Sequence, residues 1–327
     1  MSLTSEVLSA KSQTRMFIDE HVPHLKEVTK RLRSRIRQQN FEPDNTYSRA
    51  ISYAFAGSAI DYRLRAFFSN DFYRSPAIIE GISWLERTDN GQNPWFNIDA
   101  IFRRTSATDH SLAARLFDFL DEFVARERPA GKQLLPDSER TLASISVLCA
   151  GIDACCRRSF EALDYVRSLG DKDVQAMLSK LDRAIIDDVS SVFARFFIQN
   201  AARFRDAKNV HVGATFSGSE HIGGADCDLI LDRTLIDFKA SKLPNIRLEY
   251  VYQLIGYFLL DYEDEYQIRA FSLCFPRHLF WLDFEVSELF DEPRIPAIRA
   301  EFKKLQAQRY EERKLAFAAT AAPRHGV

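Results

Sequence analysis

The chain has 327 residues, 46% hydrophobic and 28% charged, with 44 Lys and Arg against 46 Asp and Glu for a formal net charge of −2. These proportions are those of a globular protein with room for one large or two ordinary domains, and the near-neutral balance argues against bulk electrostatic attraction to nucleic acid. No apolar run reaches the roughly 18 residues of a membrane span, the opening MSLTSEVLSAKSQTR lacks an apolar signal core, and a cytoplasmic location is expected.

Taken in chain order, the first patterned segment is 24–39, HLKEVTKRLRSRIRQQ, where Leu25, Val28, Leu32 and Ile36 recur at helical spacing beside a basic stripe of Lys26, Lys30, Arg33 and Arg37. Such a stripe either tracks a phosphate backbone or is a solvated helix face, and both readings stand. Pro43-Asp44-Asn45 separates it from a helix over 48–68, and Asp89-Asn90-Gly91 with Pro94 marks a loop. Helices are predicted over 108–126, 137–163 and 173–205, with Arg128-Pro129-Ala130-Gly131 as a connector. Strand patterns then take over at 210–215, in a hairpin whose runs Leu229-Ile230-Leu231 and Thr234-Leu235-Ile236 flank the turn Asp232-Arg233, and at 266–275 and 279–284. A helix over 248–260 falls between the hairpin and the later strands. A mixed-sign helix is predicted over 297–317, followed by a frayed tail.

The hairpin carries the most informative chemistry. Pairing across its turn sets Leu231 opposite Thr234 and brings Asp228 opposite Asp237. Directly opposed residues share a face, and residues two apart stay on it, so Asp226, Asp228, Asp237 and Lys239 project the same way. Opposed like charges destabilise a sheet, and one lysine does not neutralise three carboxylates. A divalent cation would.

Asp228, then Asp237-Phe238-Lys239, then Gln253-Leu-Ile-Gly-Tyr257 on the next helix resembles the PD-(D/E)XK nuclease superfamily, in its branch typified by the RecB nuclease domain and the Cas4-like nucleases. The resemblance implies an α/β/α sandwich around a small mixed sheet, with a large, mostly helical N-terminal region or insertion. Residues 1–205 would be that helical region, 206–296 the nuclease core, and 297–327 a C-terminal helix and tail. It also implies Mg²⁺ or Mn²⁺ held by Asp228 and Asp237, with Asp226 beside them, and Lys239 orienting the attacking water or stabilising the transition state. Gln253 and Tyr257, one helical turn apart, would look onto the same site. The bland alternative is a solvated hairpin followed by an ordinary amphipathic helix with Leu254, Tyr257 and Phe258 in the core.

Upstream, the branch places a histidine ligand in a G-[ST]-x-[apolar]-H helix. Gly57-Ser58-Ala59-Ile60-Asp61 fits that pattern with Asp61 in the histidine position. A hard cation accepts an oxygen ligand there, but a Gly-Ser-Ala run also suits close helix packing, and both readings stand. If Asp61 is a ligand, 48–68 is the first core helix and 70–205 an insertion within one nuclease domain. The alternative source of a first ligand is the helix ending near Arg205, which carries Gln199 and Asn200.

The five cysteines form neither a disulfide framework nor C-x-x-C pairs, and the last 50 residues contain none, so the iron–sulfur cluster of some Cas4-like relatives is not expected. Cys149, Cys155 and Cys156 are read as small core residues. No G-x-x-x-x-G-K-[ST] is present, so no ATP site is expected and ATP-driven unwinding would need a partner subunit. Gly218, Gly223 and Gly224, near Ser217 and Ser219, read as a turn entering the hairpin or as a phosphate-contacting loop. The expectation is a Mg²⁺-dependent phosphodiesterase acting on nucleic acid, DNA before RNA, in defence, repair or mobile-element processing. The alternative is a catalytically silent nuclease-fold module that binds nucleic acid or a protein partner.

Overall fold

The computed structural model describes residues 3–48, 50–89, 112–156, 160–170 and 173–321. Three helices open the chain: α1 (Leu3–Leu8), α2 (Gln13–His21), whose N-cap Ser12 accepts from Arg15 N, and α3 (Leu25–Arg37). In α3 the spacing-selected Leu25, Val28, Leu32 and Ile36 are buried, while Lys26, Lys30, Arg33 and Arg37 are exposed. α4 (Ala50–Phe68) matches its predicted span, and α5 (Pro76–Asp89) adds a helix that the sequence pattern had not separated. The rest of the predicted loop, with Asn90, Gly91 and Pro94, lies outside the described residues, as does the start of the helix predicted from 108. Its described part is α6 (Leu112–Glu127).

The helix predicted over 137–163 is described as α7 (Pro136–Cys156) and α8 (Phe160–Ser168). The helix predicted over 173–205 is two, α9 (Val174–Ser179) and α10 (Arg183–Phe204). The cause of this break is local: Asp182 adopts an extended N-cap conformation and its carboxylate accepts from Ala184 N, starting a new helix.

The strands follow: β1 (Val210–Val212), β2 (Leu229–Leu231) and β3 (Thr234–Phe238), then α11 (Leu248–Leu260), β4 (Ala270–Phe275), β5 (Phe280–Glu285) and the terminal α12 (Ile295–Ala321). They form one five-stranded mixed sheet in the order β1-β2-β3-β4-β5, in which the β3/β4 pair is parallel and the other neighbours antiparallel. A parallel pair needs a crossover, and α11 supplies it. β1 is shorter than predicted because Gly213 turns into the left-handed region at φ 59°.

Side chains alternate across the sheet and sort into two cores. Leu229, Ile236, Phe238 and Cys274 pack with α4 to α10, whereas Ile230, Leu235, Phe271, Leu273 and Phe275 pack with α1, α2, α3, α11 and α12. The architecture is therefore α/β with helices on both faces of a mixed sheet. The first forty residues lie with the sheet and α11, not with the large helical layer, and Leu3 sits so close to Gly256 that a Cβ there would meet it at 2.6 Å. Within the helical layer, α7 is buried along most of its length. A bidentate Arg63–Glu139 ion pair at 2.7 and 2.8 Å ties it to α4, with the guanidinium over the Phe193 ring of α10.

Among the described residues no helix is long and apolar enough to cross a membrane.

Candidate active site

The hairpin has the register its apolar pattern requires, with Leu229 opposite Ile236, Ile230 opposite Leu235 and Leu231 opposite Thr234. Asp232 takes the left-handed turn position at φ 53°. By the pleat, Asp228 and Asp237 continue the row of Ile230 and Leu235, on the face that α11 covers. Asp228 is fixed by its own hairpin, since the Phe238 N–H donates to its Oδ2 at 2.7 Å. Lys239 Nζ stands 2.5 Å from Asp237 Oδ2, donates to Gln253 Oε1 at 3.3 Å, and lies 4.6 Å from the centre of the Tyr250 ring. Gln253 Nε2 in turn donates to the Tyr257 hydroxyl at 2.9 Å. The spacing Q-x-x-x-Y on α11 thus does what one helical turn allows, joining carboxylate, ammonium, amide and phenol in one chain of contacts.

α4 meets the hairpin from the other side and brings a residue that the sequence reading missed. Arg65, one turn beyond Asp61, contacts three carboxylates: Asp61 through Nε at 2.8 Å, Asp228 through Nη2 at 3.2 Å and Asp226 through Nη1 at 3.4 Å. Its only signal was the i, i+4 spacing to Asp61 in a helix whose one other charged residue is Arg63. Gly213 makes room for the guanidinium, because a Cβ there would stand 3.1 Å from Arg65 Nη1. Both readings of the Gly57 helix have a structural counterpart: Gly57 packs against Ala240, and Asp61 reaches the acidic cluster.

Four carboxylates and two cations therefore share this end of the sheet, a formal excess of two negative charges when all are ionised. Burial pushes Asp61 well above the usual carboxylate range against the pull of Arg65. Burial likewise lifts Asp237 to about 6, with Lys239 opposing and Asp228 adding to the rise. Lys239 holds its proton more tightly than usual, because Asp237 and Asp228 outweigh the burial that opposes its charge. Tyr257 is raised well above its ordinary value by burial, then by Asp237, Asp226 and Asp228.

Among the described residues, the buried Asp61 Oδ1 remains without a hydrogen-bond donor. Asp237 Oδ2 has the Lys239 ammonium as its partner. An unsatisfied buried acceptor in a cluster where carboxylates outnumber cations is donor chemistry that a hard divalent cation fits. Among the described residues, no three His, Cys, Asp or Glu side chains are grouped tightly enough to hold a metal in this arrangement. Mg²⁺ commonly needs only one or two carboxylates, with waters and substrate phosphate completing its shell.

The cluster forms one wall of a cleft of about 1350 Å³ at the hairpin end of the sheet, lined from one side by α1 and α11 and from the other by α4 and α5. Asp61, Arg65, Asp226, Asp228, Asp237, Lys239, Gln253 and Tyr257 all line it, and Lys242, Asn245 and Arg247 stand on its rim. Gly223 and Gly224 line it too, while Ser219 Oγ is spent within the turn, accepting from Phe216 N and donating to Ala225 O. Gln199 and Asn200 take no part: Gln199 is exposed, and Asn200 accepts from Trp281 Nε1 and donates to Phe196 O in the core. Cys149 and Cys155 are buried as expected, but Cys156 is half-buried on the cleft wall, its Sγ donating to Glu80.

The segment after β3 is held by a second ion network absent from the sequence reading. Arg277, fully buried, pairs with Asp188 of α10 at 2.6 and 2.8 Å and with Asp44 at 3.4 Å, and its Nε donates to Ala240 O at 3.1 Å. The residue following Lys239 is thereby anchored to the helical layer.

No family model, characterised protein sequence or solved structure matches this chain.

Proposed function

We propose that this protein is a metal-dependent nuclease of PD-(D/E)XK type that hydrolyses phosphodiester bonds of nucleic acid, DNA before RNA, in the cleft at the hairpin end of its sheet. The observation that carries the reading is the line Asp237–Lys239–Gln253–Tyr257 beside Asp228, built from one hairpin and one helix and open to a cleft large enough for a strand. Asp228 and Asp237 would hold Mg²⁺ or Mn²⁺, with Asp61 and Asp226 as further carboxylates within the cluster. The bound ion would supply Lewis acidity toward the phosphate and a more acidic water.

The chain's own residues supply the rest. Lys239 keeps its proton and places a fixed positive charge beside the reacting phosphate, where preorganised charge lowers the barrier without reorganisation. Gln253 sets the direction of that ammonium. The Tyr257 hydroxyl accepts from Gln253, so its own proton is left to donate to a phosphate oxygen or to water.

A second reading, a catalytically silent module, is favoured by Arg65, which already engages three of the four carboxylates. Calorimetric titration with Mn²⁺ separates the two, since an active centre binds the ion through Asp228 and Asp237 and a silent one does not. Assaying single- and double-stranded, linear and circular DNA and RNA with Mg²⁺ or Mn²⁺ tests the proposal, with Asp237→Ala as the control. Metal-independent products, or cleavage unchanged in that variant, would overturn it.

A further inference from the structure

Beside the cleft lies a second, smaller groove of about 430 Å³ between α3 and the segment entering α11, and its charge is one-sided. Arg33 and Arg37 come from α3, Arg247 from the residue before α11, and Glu249 is the carboxylate among its lining residues. All three arginines are exposed, and among the described residues none forms an ion pair. Their neighbours on α3 are used differently: Arg31 pairs with Glu288, and Arg35 donates to Asp283 O at 2.8 Å.

Arg33 is also aimed. Its Nε donates to Ile246 O at 2.9 Å, which fixes the planar group at the groove and leaves its terminal N–H groups for a ligand. Arg247 makes no capping bond to α11. Arg247 and Asn245 line both cavities, so the groove continues from the cleft that holds Lys239. A groove carrying three guanidinium groups and one carboxylate, in a chain whose net charge is −2, is a local field that selects an anion. Guanidinium forks match phosphate oxygens bidentately.

We infer that this groove binds the phosphates of a nucleic-acid strand that runs out of the cleft, so that Arg33, Arg37 and Arg247 grip the backbone on one side of the reacting position. The inference rests on the nucleic-acid reading of the cleft but assigns a separate site. It also divides the basic stripe of α3: Arg33 and Arg37 line the groove, whereas Lys26 and Lys30 lie farther back along the helix and do not.

The test is fluorescence anisotropy of a labelled single strand of about twenty nucleotides, longer than a typical single-fold site. Titrations are run at several salt concentrations with Ca²⁺, with cleavage by Mg²⁺ followed in parallel on the same strand. Each arginine that no longer neutralises a phosphate of a single strand flattens the slope of log affinity against log salt by about 0.7. The triple variant R33Q/R37Q/R247Q is therefore expected to flatten that slope by about two units. R33K/R37K/R247K keeps the charge and should retain the slope, which separates phosphate binding from folding. R205Q/K208Q/K304Q removes as much charge at exposed positions lining neither cavity and should also retain it.

A wild-type slope in the Gln triple overturns the groove and leaves the cleft reading standing. A flattened slope with no cleavage by wild type overturns the nuclease and leaves the groove. A wild-type protein that binds no strand overturns both.

Discussion

Arg65 of α4 and Asp228 of the hairpin meet at 3.2 Å, and this contact joins the helical half of the chain to the strands that carry the proposed metal ligands. Their separation of 163 positions in sequence explains why composition and local pattern could not pair them. Arg65 acts as an internal counter-ion: three carboxylates at one end of a sheet repel each other, and a guanidinium is a cation that can bridge all three.

Removing that counter-ion should expose the repulsion. Arg65→Met is expected to lower the stability of the metal-free protein by about 3–5 kcal/mol, the range for breaking a buried charge network by deleting one partner. Mn²⁺ should then raise the melting temperature of the variant more than that of wild type, because the ion replaces the missing charge. Scanning calorimetry with and without Mn²⁺ measures both effects. Equal Mn²⁺ shifts in the two proteins would show that Arg65 and the metal do not share the carboxylates.

Asp228→Ala, Asp237→Ala and Lys239→Ala should each leave a folded protein with at least about a hundredfold less metal-dependent cleavage, the scale of removing one preorganised group from the transition state. Asp226→Ala should be milder, since Asp226 is the outermost of the cluster, 36% exposed in its side chain, and the farthest of the three from Arg65 at 3.4 Å. Initial rates at saturating Mg²⁺, with circular dichroism as the folding control, decide this. An unimpaired Lys239→Ala protein would remove the hairpin from the chemistry.

Where the sequence was legible, short-range rules were sufficient. The register of Leu229-Ile230-Leu231 against Thr234-Leu235-Ile236 follows from a two-residue turn and a period of two. α11 begins and ends where its apolar run does, and the buried Leu25, Val28, Leu32 and Ile36 of α3 are the helical-spacing set. What was not legible depends on the folded arrangement. Arg277 looks like any loop arginine until α10 presents Asp188 to it. α1 is too short to be stable alone and is held by packing such as Leu3 on Gly256. Half of the site could be named from the hairpin and Q-x-x-x-Y, but its partner from α4 needed the tertiary fold.

The elevated proton affinity of Asp237 has a signed consequence for stability. Its folded-state value of about 6 lies above the ordinary 3.8, so between those values the folded protein binds more protons than the unfolded chain. Stability from this group is therefore full below about pH 4 and is lost as pH rises toward about 6. In metal-free buffer, the melting temperature of wild type relative to Asp237→Asn should fall over that interval and then level off. Stabilisation by Mn²⁺ needs the carboxylate and should grow over the same interval. A difference between the two proteins that is flat from pH 4 to 7 would contradict the burial of this carboxyl.

Arg277 tests whether Lys239 is held from behind. Arg277→Met leaves Asp188 buried and unpaired beside Tyr47, whose hydroxyl donates to it at 2.8 Å, and frees the carbonyl of Ala240. Loss of a fully buried bidentate partner is expected to cost about 3–5 kcal/mol. The double variant Arg277→Met with Asp188→Leu removes the fully buried pair and should recover part of that loss, because two apolar groups in its place are close to neutral while Asp44 still lacks its cation. Cleavage should not recover with it, since Ala240 would still lack its donor and the Lys239 backbone its anchor. Denaturant unfolding and initial rates on the two variants separate these effects. Recovery of activity in step with stability would mean that Arg277 acts only on the fold and not on the position of Lys239.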